Sequence, residues 1–213
     1  LDLRYNVIQW VHRSTRGWSY GSSVRDPRTG EIIKGHVSLG SLRVRQDFLI
    51  AQGLISPYED GATNPDEKML QLALARLRQL SAHEVGHTIG LAHNFAASEN
   101  DRASVMDYPH PRIRLVNGKI SLEGAYDKGI GEWDKHAIAY GYQDFSGSDN
   151  VASAEAEGLA KLIVQTRNKG LKFKSDSDTR SARHGSSNGH MWENGSNPLD
   201  AFDEISAICE LAL

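Results

Sequence analysis

The chain has 213 residues, with 24 Lys and Arg against 27 Asp and Glu and a formal net charge of -3. That length suits one domain or one and a half with a buried core, and a 39% hydrophobic share is too high for a disordered chain. No basic excess suggests a nucleic-acid or anionic-membrane surface, and no apolar run approaches the roughly 20 residues of a membrane helix.

Tyr5 to His12 is rich in β-branched and aromatic residues and predicts a strand. Arg13 to Ser23 reads as loop, and Asp26 to Gly30 as a turn. Glu31 to Leu39 predicts a second strand, in which Gly35 signals a bulge or a close backbone approach. Residues 42–55 suit a short helix, and Pro57 to Pro65 a loop. Asn64 can then cap a helix, Pro65 suits its first position, and Asp66 and Glu67 favour its positive end. Apolar residues at 69, 70, 73, 74, 77 and 80 keep the helical period, so one helix from 65 to 90 is expected, with a break near 79–82 allowed by the pattern. Gly90 is a natural stop.

Asn94 to Arg102 reads as polar loop, and Pro109 and Pro111 exclude a long helix over 104–111. Ile113 to Leu122, centred on Asn117-Gly118, predicts a β-hairpin. Helices are expected over Glu132 to Tyr142, closed by Gly141, and Ala152 to Lys169, closed by Gly170. Residues 175–198 read as a long polar loop, and Pro198 to Leu213 as a short apolar helix.

The chemistry lies in Ser81-Ala-His83-Glu84-Val-Gly-His87-Thr-Ile-Gly90-Leu-Ala-His93. His83 and His87 are four apart, so both imidazoles leave one face of a helix and can bind one divalent metal. A catalytic zinc takes three protein ligands and leaves one position open. A straight helix would carry residue 93 away from that face; a glycine at 90 in the left-handed conformation turns the chain and returns His93 to the metal. Glu84 is then placed to act as general base. Zn2+ would lower the pKa of its water to about 7, and Glu84 would move the proton from that water to the leaving amine of a peptide bond.

The extended string resembles the signature of the metzincin zinc metalloproteases. Ser104-Val-Met106-Asp-Tyr108, some distance after His93, resembles their Met-turn, in which a methionine packs beneath the metal. Tyr108 resembles the tyrosine that astacin-like and serralysin-like members place near zinc, as a ligand or an oxyanion donor. Arg4-Tyr-Asn-Val-Ile, Trp10 to Trp18, Asp26 to Glu31 and Ile33-Lys-Gly-His36 resemble the bacterial met-zincin peptidase domain related to the EcxA enterotoxin peptidase. Asp134, Ile138 and Tyr140-Gly141 resemble the family's C-terminal helix.

The resemblance implies an α/β (α+β) metzincin-like fold: a twisted mixed sheet, an active-site helix, the Met-turn and a C-terminal helical subdomain. The family's opening strand and backing helix would be missing from this chain, which starts at Leu1 rather than Met and reads as a piece of a longer or processed protein. Residues 1–145 would form the catalytic domain, and 146–213 a helical extension with the polar loop at 175–198. The activity implied is a zinc-dependent endopeptidase acting on a peptide or protein substrate, outside the cytoplasm (secreted, periplasmic or at the cell surface). Glu31 to Leu39 is the candidate sheet edge on which an extended substrate would pair.

His12, His36, His110 and His136 lack ligand spacing. His184 and His190, in a polar loop with Trp192, could reach the site as a lid but read better as surface residues. The Asp and Ser cluster at 175–178 lacks the spacing of a calcium loop. Trp10 and Trp18 suit core or interface positions. Cys209 is the one cysteine, which excludes an intrachain disulfide. Two other readings stay open: a zinc hydrolase whose third ligand is Glu123 or Glu132, and a non-catalytic peptide-binding or toxin-associated module with a structural metal.

Overall fold

A computed structural model of the chain describes residues 2–13, 17–55, 65–180, 185–192 and 194–212. Three strands, β1 (Val7–Val11), β2 (Tyr20–Arg25) and β3 (Ile32–Gly40), precede helices α1 (Ser41–Ile55) and α2 (Pro65–Thr88). A hairpin of β4 (Arg114–Val116) and β5 (Lys119–Ser121) is followed by α3 (Glu132–Tyr142), α4 (Val151–Asn168), the short α5 (Asp176–Thr179) and α6 (Pro198–Ala212). This is the mixed α+β architecture expected. Among the described residues, no helix is long and apolar enough to cross a membrane.

The chain divides into two compact units: one of Leu1–Ala92, His110–Gly129 and Asn197–Leu213, the other of His93–Pro109 and Ile130–Ser196. In the first, the sheet order is β1-β3-β2, with β3 parallel to β1 and antiparallel to β2. Two expectations are corrected here. Residues 20–23, read as the end of a loop, open β2; a Tyr-Gly-Ser-Ser run has little intrinsic strand signal, and pairing with β3 supplies what composition does not. The candidate edge, Glu31 to Leu39, is the central strand. Consecutive burial of Val37, Ser38 and Leu39 shows both of its faces covered.

Glycine is required where the sheet meets α2. A Cβ on Gly21 would lie 1.9 Å from the Glu84 carbonyl oxygen, so β2 can approach the helix this closely only without a side chain. Gly35 makes the close approach expected of it, against Thr88, while the sheet's irregularity falls between Val24 and Arg25. α2 is unbroken. Its buried seam begins apolar, at Met69, Leu72 and Ala73, and continues through Arg76, Gln79, His83 and Glu84. The apolar part packs on Ala51 of α1 together with Ala125 and Tyr126. In α1, the buried Asp47 is held by Arg43 one turn earlier at 2.7 Å. Asn117 and Gly118 take left-handed conformations at the hairpin turn, as the Asn-Gly pair requires.

In the second unit, residues 94–98 are buried rather than a solvated polar loop, and Ala97–Asn100 forms one 3-10 turn. Asn94, Phe95, Met106 and Asp134 are its largest fully buried side chains. α3 spans Glu132–Tyr142 as expected, with Gly141 in its last turn, and Gly170 turns the chain after α4 with φ of 66°. Trp133 of α3 stacks on Phe173 at 5.4 Å. The stretch from 175, read as loop, carries α5. The loop expected over 57–64 and His184 lie outside the described residues.

Candidate active site

The site is built on the C-terminal end of α2. His83 and His87, one turn apart, bring their Nε2 atoms to 3.1 Å. The helix ends at Thr88, and Gly90, with φ of 96°, reverses the chain. A Cβ there would meet nothing closer than 3.6 Å, so the conformation and not the space calls for glycine. The reversal sends the Leu91 N–H to the Gly86 carbonyl and aims the Leu91 carbonyl back at His87, whose Nδ1 donates to it at 2.9 Å. That fixes the tautomer and leaves Nε2 of His87 with its lone pair.

His93 follows the turn. One ring nitrogen from each of His83, His87 and His93 lies within 4.8 Å of the others, and this group could hold a metal ion. The donor set fits zinc. Three imidazoles are a common catalytic zinc set, and 3.1 Å between Nε2 atoms is close to the separation of two ligands on a tetrahedral ion with bonds of about 2.0–2.1 Å.

His93 is held on both nitrogens. Its Nδ1 donates to Asp176 Oδ2 at 2.6 Å, and its Nε2 meets the Tyr108 hydroxyl at 2.8 Å. Burial alone would raise the Asp176 carboxyl, but hydrogen bonds from His93 and Arg180 outweigh it and hold the group below the usual carboxylate range. Tyr108 in turn stacks on Trp192 at 5.5 Å, and the Trp192 N–H donates to the Tyr108 carbonyl.

Glu84 is 4% exposed. Burial pushes its carboxyl up to about 7, while the Gly21 N–H hydrogen bond and the Arg76 charge pull the other way. Arg76 is itself buried over the Tyr126 ring and hydrogen-bonds Gln79.

Met106 is fully buried, and its carbonyl accepts the N–H of Asn94, the residue after His93. The Ser104–Met106 stretch is pinned by Asp134 of α3. That carboxylate accepts from Ser104 Oγ at 2.5 Å, Val105 N at 2.8 Å and Gly131 N at 2.7 Å.

The histidine string brings its three imidazoles together, and Tyr108 reaches His93. The alternative carboxylates are not members of the metal group, and Glu132 is held by Lys135 and Lys169. Sequence reading missed two residues. The sequence offers Asp176 only within a calcium-like cluster and Trp192 only as a neighbour of His184 and His190 in a polar loop; no spacing signal links either to His93 or Tyr108, which lie far away in the chain.

No curated protein and no solved structure matches the chain. A family model described as Met-zincin matches residues 65–213. The match begins at the first residue of α2, takes in the histidine string, the Met106 segment and α3, and agrees with a metzincin-like fold. Covering most of the sequence, it shows that this chain belongs to the Met-zincin family.

Proposed function

We propose that the protein is a zinc-dependent endopeptidase. The observation that carries the reading is the group of three imidazoles with a buried carboxyl, Glu84, next to the first of them on the helix. A structural zinc would want a fourth protein ligand and has no use for such a carboxyl. His83, His87 and His93 would hold the zinc, which would supply Lewis acidity toward a carbonyl oxygen and make a water more acidic, toward a pKa of about 7.

The chain's own groups do the rest. Glu84 takes a proton from the attacking water and delivers it to the leaving amine. A carboxyl whose burial raises it to about 7 is matched to both directions of that transfer near neutral pH. Tyr108, with its hydroxyl on a ligand histidine, is assigned to the developing oxyanion or to the metal itself. Met106, in the turn after the histidines, is assigned the Met-turn role. The substrate strand is assigned to β2 rather than β3. Among the described residues β2 is an edge strand of its sheet, and its Gly21 N–H reaches Glu84.

The test is Glu84→Gln, assayed on a peptide library with zinc content measured in parallel. The variant is expected to keep its zinc and lose about 10²-fold or more in turnover. Unchanged turnover would remove Glu84 as the base, and a zinc-loaded wild type that cleaves nothing would favour a non-catalytic module.

A further inference from the structure

We propose that Asp176 is the positioning residue for His93, holding its imidazole in the tautomer and orientation that present Nε2 as a metal donor. The inference rests on the zinc reading above and adds a residue to it. Three observations carry it.

The first is the hydrogen bond itself. At 2.6 Å, from a ring N–H to a carboxylate oxygen, it is just under the roughly 2.7–2.9 Å of charge-assisted N–H bonds, and it engages the nitrogen left over if Nε2 is the donor. A ligand imidazole whose other N–H goes to a carboxylate is fixed in tautomer and made a better base.

The second is that the carboxylate is itself oriented. Oδ2 faces His93, while Oδ1 accepts from Arg180 Nη1 at 3.0 Å, one turn further on. The two bonds leave Asp176 little freedom to rotate away from the ring.

The third is that the backbone delivers Asp176 to this place through the residue that follows His93. Asn94 is fully buried, and both ends of its side-chain amide reach the same stretch of chain, while Oδ1 also accepts from Ala96 N at 3.3 Å. Its Nδ2 donates to the Lys172 carbonyl at 2.9 Å, and its Oδ1 accepts from Lys174 N at 3.1 Å. Phe95 N adds a bond to the Lys174 carbonyl at 2.8 Å. The chain on both sides of this clamp is thus locked: His93 precedes Asn94, and Asp176 follows Lys174. Such a paired arrangement is more than a surface ion pair that happens to form.

The experiment is zinc affinity of the full chain, measured by competition with a chelator of known affinity, for wild type, Asp176→Ala, Asp176→Asn and His93→Ala. Melting temperature of the metal-free proteins is recorded beside it. Asp176→Ala is expected to weaken zinc binding about 10- to 100-fold. Asp176→Asn, which keeps an acceptor for Nδ1 and loses the charge, is expected to recover part of that loss. Metal-free melting should be little changed, since the Asp176 side chain is half-exposed and outside the core.

Asp176→Ala binding zinc as tightly as wild type, beside a clear loss in His93→Ala, overturns the role of Asp176 and leaves the zinc reading standing. Wild-type affinity in His93→Ala overturns the zinc reading and this inference with it. Should the alanine variant fail to fold, the asparagine variant decides: affinity equal to wild type would contradict the role assigned to the charge.

Discussion

At the scale of single residues, the site depends on a few atoms whose partners are far apart in the chain. The three imidazoles that could hold a metal ion were legible because helical geometry turns the four-residue spacing of His83 and His87 into a shared face, and because Gly90, between these two and His93, has a conformational reason to be there. The partners that orient those rings were not legible. His87 is fixed by a backbone carbonyl and His93 by a carboxylate 83 positions away, and no local pattern encodes either. Gly90 itself gives a test. With φ of 96°, alanine there is strained, and Gly90→Ala is expected to cost about 1–2 kcal/mol and to weaken zinc binding by loosening the Leu91 carbonyl from His87. Thermal unfolding and chelator competition check the two effects; a variant with wild-type melting and affinity would show that the turn tolerates a side chain.

Among the elements, periodicity and turn chemistry are what the sequence displays, and sheet order is what it hides. α2 and the Asn117-Gly118 hairpin follow from apolar spacing and from the left-handed preference of their turn residues. β2 has neither signal. It exists through pairing with β3 and through the space that Gly21 leaves against α2, so both its presence and the central place of β3 are tertiary facts. Gly21→Ala is therefore expected to push β2 off the helix, at a cost of about 2 kcal/mol or more, and to lower turnover while zinc stays bound, because the Gly21 N–H would leave Glu84. Full activity in this variant would separate Glu84 from β2.

α3 offers a test in acid. Glu132 is bonded to Lys135 at 2.6 Å and to Lys169, at the end of α4, at 2.8 Å. Those bonds pull its carboxyl down to about 2. A depressed carboxyl stabilises the fold above its unfolded value, about 4.3, and that contribution is lost as the pH falls toward 2. Carbon-13 titration of the Glu132 carboxyl at low salt should show the depressed midpoint, and added salt should raise it. A midpoint at the ordinary glutamate value would mean that the two lysines are not engaged in solution.

For the whole molecule, most elements, the family and the three-histidine group could be read from the chain, whereas the residues that support the site could not. Helix α2 carries this division within itself. Its first turns bury Met69 and Leu72 as any core helix does; its last turns bury His83 and Glu84, polar groups that an ordinary core would exclude. Burial of that kind costs stability unless something compensates, and a bound metal is the compensation the donor set fits. The measurement that tests this most directly is the zinc content of the purified protein by elemental analysis, wild type beside His93→Ala. The account predicts about one zinc per chain in the wild type, lost in the variant. A wild type that takes up no zinc from solution, or a variant that keeps it in full, would contradict the three-histidine centre.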